Sequence, residues 1–137
     1  MILVAEDNDV NQIVVEQILL DAGHAYVIVE NGRLALERFK AERPDLVLMD
    51  VSMPEMNGLE ATAAMRQVEG EAGDGVRTPI IGLTAHALPG DKEMCIGAGM
   101  DDYMPKPFNP EVLQATIAEW LEKSGKVSEK RDTNAAA

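Results

Sequence analysis

Short, unbroken apolar runs alternate along the chain with longer stretches whose apolar residues recur every three or four positions. The runs are strand-length: Ile2 to Ala5, Ala25 to Val29, Leu46 to Met49, Pro79 to Thr84 and Asp102 to Met104. Ile2-Leu3-Val4-Ala5 and Leu46-Val47-Leu48-Met49 have no polar alternate, as expected of strands covered on both faces by helices. Five successive beta-alpha units are therefore predicted, an α/β fold around one parallel sheet. The helices carry their own punctuation. Asn8 or Asp9 is placed to cap the first and Gly23 to end it, Asn31 caps a second that stops before Pro44, and Asn57 caps a third. Leu88 to Gly99 predicts a short fourth helix containing Gly97, marginal and mobile. Asn109-Pro110 opens the fifth, whose Leu113, Ile117, Trp120 and Leu121 are expected to face the sheet. Glu69 to Arg77, with three glycines and no apolar periodicity, is expected to be a flexible surface loop. From Ser124 the chain turns polar and ends in alanines, so 124–137 is expected to be a disordered tail or linker or tag remnant, leaving 1–123 as the domain.

Composition narrows the function. At 137 residues and 46% hydrophobic, the chain has material for one core. Twelve basic residues against 24 acidic ones give a net charge of -12, which repels nucleic acid phosphates and suits cations. Cys95 stands alone, so neither an internal disulfide nor a thiolate zinc cluster is available, and its expected role is packing. The apolar run at the N-terminus is broken at once by Glu6 and Asp7, unlike a secretory signal, and no segment approaches the roughly 20 apolar residues of a membrane span. A cytoplasmic protein without membrane attachment is the expectation.

In an open parallel sheet, ligands bind beyond the carboxyl ends of the strands. The first predicted strand leads into Glu6 and Asp7, the third into Asp50, the fourth ends at Thr84, and the fifth leads to Lys106 and Pro107. Carboxylates this close repel one another, and a hard cation such as Mg2+ relieves the repulsion by taking oxygen ligands. Asp50 then serves as ligand and nucleophile, while Lys106 and Thr84 stabilise charge on a phosphoryl group under attack. Acidic residues at strand ends are more often helix caps than nucleophiles. Five residues of complementary chemistry at converging strand ends make the stronger case.

Glu6-Asp7-Asn8, Leu46 to Asp50 with Met53-Pro54 and Asn57-Gly58, Pro79 to Thr84-Ala85, and Lys106-Pro107 together resemble the receiver domains of two-component signalling from Ile2 to about Glu122. The wording around Asp50 and from Gly99 to Pro107 resembles receivers of hybrid sensor kinases and phosphorelays. The resemblance implies a flavodoxin-like fold, a five-stranded sheet in order 2-1-3-4-5 flanked by five helices. It implies Asp50 as phosphoacceptor from a phosphohistidine, with no catalysis beyond its own phosphorylation and dephosphorylation. Asp7, Asp50 and the Ser52 carbonyl become metal ligands for Mg2+, with Mn2+ as a substitute, and Glu6 acts through a coordinated water. Thr84 and Lys106 bind the phosphoryl group, Thr84 and Tyr103 form the switch, and Lys106-Pro107 is a cis peptide. A histidine kinase or histidine phosphotransfer protein is the implied partner of a monomer that contacts no nucleic acid.

Alternatives fare worse. A haloacid-type phosphatase wants a second carboxylate two residues after the nucleophile, where this chain has Ser52. A nucleotide or flavin module wants a Gly-rich loop where Glu6-Asp7-Asn8-Asp9 stands. A non-phosphorylated interaction module remains open, although none of the acidic pair, Asp50 or Lys106 is missing. His24 and His86 have no partners for zinc or a triad, and His86 is read as a rim residue that tunes dephosphorylation. Both a stand-alone regulator and a piece of a hybrid kinase fit a chain without an output segment after Leu121. On the first helix, Asn11, Val14, Val15, Ile18, Leu19 and Ala22 suffice to cover the sheet, leaving Val10, Ile13 and Leu20 on a second apolar stripe. The expected docking surface comprises Val10, Asn11 and Ile13 with Pro107 and Phe108 across the crevice.

Overall fold

The computed structural model describes residues 1–51, 53, 56–73, 75–84, 90–106 and 109–123. Expectations placed on Ser52, His86, Leu88, Pro107, Phe108 and the tail 124–137 lie outside the described residues. Strands and helices alternate throughout: β1 (Ile2–Ala5), α1 (Asp9–Asp21), β2 (Tyr26–Val29), α2 (Gly32–Glu42), β3 (Leu46–Asp50), α3 (Gly58–Ala72), β4 (Ile80–Thr84), α4 (Asp91–Ala98), β5 (Asp102–Pro105) and α5 (Pro110–Lys123). The five strands pair in parallel in the order β2-β1-β3-β4-β5, the flavodoxin-like arrangement.

The apolar runs of β1, β3 and β4 have no polar alternate because both sides of these inner strands are covered, while the edge strands β2 and β5 are half-buried. Ile2, Val4, Leu46, Leu48, Ile81 and Leu83 face one way, packed with Val15, Ile18 and Leu19 of α1 and Leu113, Ile117 and Leu121 of α5. Leu3, Ala5, Val47, Met49 and Ile80 face the other way, against Ala35 and Phe39 of α2, Ala61 and Met65 of α3 and Cys95 of α4. Cys95 is thus a buried packing residue.

Asparagine starts four of the helices. Asn8, Asn31 and Asn57 each accept the backbone N–H three residues on, and Asn109 accepts from Glu111 and Val112. Asn57 and Glu60 complete a reciprocal capping box. Helix α4 differs: it starts after Gly90, with no side-chain cap.

Four expectations need correction. Strand β2 begins at Tyr26 and β4 at Ile80, one residue late, while β3 includes Asp50 and β5 reaches Pro105. Glu69 to Ala72 are not loop but the last turn of α3, which ends at Gly73 in the left-handed conformation. The cause is tertiary. Glu69 is buried and accepts from the Thr78 backbone N–H at 2.6 Å and from Arg66 at 2.8 Å. Arg66 also donates to the carbonyls of Gly99 and Thr78 and to Asp101, tying α3 to the starts of β4 and β5. On α5, Trp120 lies half-buried at the edge of the core rather than fully against the sheet, with its indole N–H on Asp102 at 3.0 Å. On α1, Val14 and Ala22 are exposed and Asn11 only half-buried, so the covered face is narrower than its periodicity suggested.

Gly58 decides how closely α3 approaches the end of β3. Its N–H donates to the Val51 carbonyl at 3.0 Å, and a methyl group on its Cα would overlap the Asp50 carbonyl oxygen. Gly58→Ala is expected to lower stability by about 2 kcal/mol through overpacking. Gly97→Ala, inside α4 with open space at that position, should raise it by about 0.5 kcal/mol. Urea unfolding of both variants checks the contrast.

Candidate functional site

The strand register sets the site. Ala5 is level with Met49, Asp50 with Leu83 and Thr84 with Pro105, so the carboxyl ends of four strands meet at one edge. Glu6, fully buried, follows β1; Asp50, 3% exposed, ends β3; buried Thr84 ends β4. Lys106 follows β5 and is held there by its backbone N–H, which donates to the Thr84 carbonyl at 2.7 Å. Its ammonium lies 2.7 Å from Glu6 Oε1 and 3.0 Å from Asp50 Oδ2. Asp7 is exposed at the rim, yet one carboxylate oxygen from each of Glu6, Asp7 and Asp50 falls within 4.8 Å of the others. Three hard oxygen donors at that spacing suit a small divalent cation.

Charge is out of balance here. Burial, reinforced by a hydrogen bond with Glu6, pushes the Asp50 carboxyl up to about 7, against the pull of Lys106. Burial acts on Glu6 in the same sense, but hydrogen bonds with Asp50 and Lys106 and the lysine charge carry it below the usual carboxylate range. For Lys106, burial would lower the ammonium, and the two carboxylates outweigh it and raise it. The two acids therefore share a proton below neutral pH, with Asp50 as the protonated member.

Comparison with known proteins agrees with this geometry. The family model for the response regulator receiver domain matches residues 2–118. The chain belongs to the response regulator receiver domain family. The receiver is 39% identical over 144 residues to hybrid signal transduction histidine kinase I of Dictyostelium discoideum, covering 96% of this chain and 8% of that protein. It thus spans a small fraction of that relative. Among solved structures it is similar to the receiver domain of sensor histidine kinase PA1611 from Pseudomonas aeruginosa PAO1, with TM-score 0.80 and 42% identity over 88% of this chain and 96% of that one. That structure has a magnesium ion coordinated in its active site cleft. The receiver domain in the co-crystal structure of Saccharomyces cerevisiae Ypd1, a histidine phosphotransfer signaling protein, with its downstream response regulator Ssk1 gives TM-score 0.81 and 31% identity, over 87% of this chain and 86% of that chain.

The receiver places most of the expected residues together. Glu6, Asp7, Asp50, Thr84 and Lys106 share the crevice. Tyr103 pairs level with Gly82, on the sheet face that also carries Thr84, and packs half-buried against the cluster that contains Cys95 and Met100. Val10 and Ile13 are each 68% exposed and Leu20 is 54% exposed, so the second stripe on α1 is uncovered among the described residues. Asn11 sits at its border, its N–H on the Asn8 cap. Sequence reasoning missed Gln12, whose side-chain amide donates to the Glu6 carbonyl oxygen at 2.6 Å. Its one available signal was position, one helical turn beyond the Asn8 cap. Gly58 was read only as motif, although its missing side chain lets α3 pack beneath Asp50.

Replacing the like charge should stabilise the metal-free protein. The Asp50 carboxyl has a higher pKa folded than unfolded, so its contribution is complete below the ordinary value of 3.8 and is lost as pH rises to about 7. The opposite contribution of Glu6 is lost only as pH falls through the acid range. With EDTA present, Asp50→Asn is expected to be more stable than the parent by about 1–2 kcal/mol at pH 8, with the advantage shrinking at pH 6. Thermal unfolding at both pH values checks this; a variant less stable at both would contradict it.

Proposed function

We propose that Asp50 accepts a phosphoryl group from a phosphohistidine on a histidine kinase or histidine phosphotransfer protein, with Mg2+ as cofactor. The observation that carries this reading is the Lys106 ammonium set between buried Glu6 and Asp50, beside a third carboxylate at the same strand ends. Asp7, Asp50 and the backbone carbonyl of Ser52 would hold the metal, with Glu6 acting through a coordinated water; Mn2+ would substitute. The cation supplies charge neutralisation for the carboxylates and the phosphoryl oxygens. The ionised Asp50 carboxylate would attack phosphorus through one oxygen. The new O–P bond forms as the P–N bond to the imidazole breaks, and the imidazole leaves with the electron pair. Lys106 balances charge on the phosphoryl oxygens and Thr84 donates its hydroxyl to one of them. Drawing Thr84 toward the phosphoryl group frees space on the shared face for the Tyr103 ring to turn inward.

The donor protein would dock on α1 through Val10, Asn11 and Ile13, and contact Pro107 and Phe108 as well. The exposed apolar stripe supports this placement, and the co-crystal of a related yeast receiver with a histidine phosphotransfer protein supports the class of donor. A cytoplasmic monomer without nucleic acid contacts fits the net charge of -12, and no helix among the described residues is long and apolar enough to cross a membrane. Catalysis is confined to the protein's own phosphorylation and dephosphorylation.

A small phosphodonor with Mg2+ should label the protein at Asp50, and either Asp50→Asn or EDTA should abolish labelling; intact-mass analysis reads the outcome, and full labelling of the variant would refute the assignment. Ile13→Asp should slow transfer from a cognate phosphohistidine protein at least about tenfold, roughly 1.4 kcal/mol, while labelling by the small donor persists. Unchanged transfer from the protein donor would place docking elsewhere.

A further inference from the structure

Between the buried acid Glu6 and the exposed acid Asp7 there is one peptide unit, and its plane sets where the two carboxylates stand relative to each other. The Gln12 side chain grips that unit, donating from Nε2 to the Glu6 carbonyl oxygen at 2.6 Å. Gln12 is itself well anchored, because its backbone N–H donates to the Asn8 carbonyl at 2.9 Å in the first turn of α1. On the other side of the loop, the Asn8 N–H donates to Glu6 Oε2 at 3.2 Å, and the Asn8 side chain accepts from Asn11. At its start the loop is fixed by the Glu6 N–H on the Val29 carbonyl at 2.9 Å. Each of these bonds except the one from Gln12 uses the backbone N–H of its donor, which almost any residue would provide. Gln12 supplies the side-chain donor among these bonds, as Glu6 and Asn8 supply side-chain acceptors, so residue identity matters at Gln12 as well.

We propose that Gln12 is a positioning residue for the acidic loop, holding the Glu6-Asp7 peptide in the orientation that aims the Asp7 carboxylate at the one on Asp50. The proposal rests on the reading of Asp7 and Asp50 as ligands of a divalent cation. Gln12 touches neither metal nor phosphoryl group; it acts through the backbone, as groups behind metal ligands commonly do. Without its hydrogen bond the peptide plane is held less tightly, through the Glu6 N–H on Val29 and the Asn8 N–H on Glu6 Oε2, and the exposed Asp7 is placed with more freedom. A cation has to reorder the loop in order to bind, and its affinity falls accordingly. Once bound, it holds the loop itself.

Gln12→Met keeps the length and removes the donor; Gln12→Glu keeps the shape and replaces the donor with an acceptor. In metal-free protein, amide hydrogen exchange at Asp7 and Asn8 should speed up in both variants while the urea midpoint stays close to that of the parent. Mg2+ affinity, followed by NMR titration of the Asp7 amide, should fall about tenfold in Gln12→Met and further in Gln12→Glu. At saturating Mg2+, labelling of Asp50 by a small phosphodonor should return to within about twofold of the parent rate, which separates positioning from chemistry. A parent that binds no Mg2+ would overturn the ligand reading and this proposal with it. A parent that binds, alongside a Gln12→Met variant that binds as tightly, would overturn the proposal alone. So would labelling that stays reduced at saturating metal, or loss of affinity that merely follows a loss of global stability.

Discussion

Glu6 and Asp50 are removed from water at the same point and stand within 3.0 Å of one ammonium, that of Lys106. Two carboxylates and one cation in a poorly solvated crevice leave negative charge uncompensated, and the protein absorbs the imbalance by keeping a proton on Asp50 up to about pH 7. The parallel sheet creates this situation, because strands running one way deliver all their ends to one edge. Gly58 maintains it, letting α3 close beneath Asp50 where a side chain would push the helix away. A group that must attack phosphorus benefits from such an unrelieved site. Binding a cation there replaces an unfavourable arrangement rather than adding to a satisfied one.

Much of this was legible in the chain. Asn8, Asn31, Asn57 and Asn109 mark helix starts through bonds that span two or three residues, so local sequence contains the whole interaction. The buried strands announced themselves by lacking a polar alternate, and the crevice residues followed from where those strands ended. What stayed hidden depended on distant partners. Glu69 sits among glycines and reads as loop, yet Arg66 and the Thr78 amide make it the buried end of a helix. Val14 has the spacing of a core position on α1 but falls outside the narrow strip that touches the sheet. The role of Gln12 is a contact with a backbone atom, to which residue type gives little clue.

The two ends of the sheet have opposite electrostatic characters. At the end away from the crevice, Arg66 is 14% exposed and fully engaged, with Glu69, Asp101 and two carbonyls as acceptors, and Arg77 adds a second guanidinium on Asp101. Charges there are matched, and the network ties three elements together. At the crevice end, the same fold leaves charges mismatched. Matched charges thus lie at one end of the strand direction and mismatched charges at the other.

That separation gives α4 an unusual mechanical character. Its foot is pinned where Arg66 and Arg77 hold the Gly99 carbonyl, while its head, after Gly90, has no side-chain cap, and of its eight residues only Cys95 is buried. A helix held by two guanidinium groups at its foot and started without a side-chain cap at its head has the geometry of a lever. With about 1.5 Å of rise per residue, α4 is roughly 12 Å long, and a tilt of about 10° about Gly99 carries Asp91 through about 2 Å. With its foot pinned at Gly99, any tilt of α4 is largest at Asp91 and smallest beside Asp101.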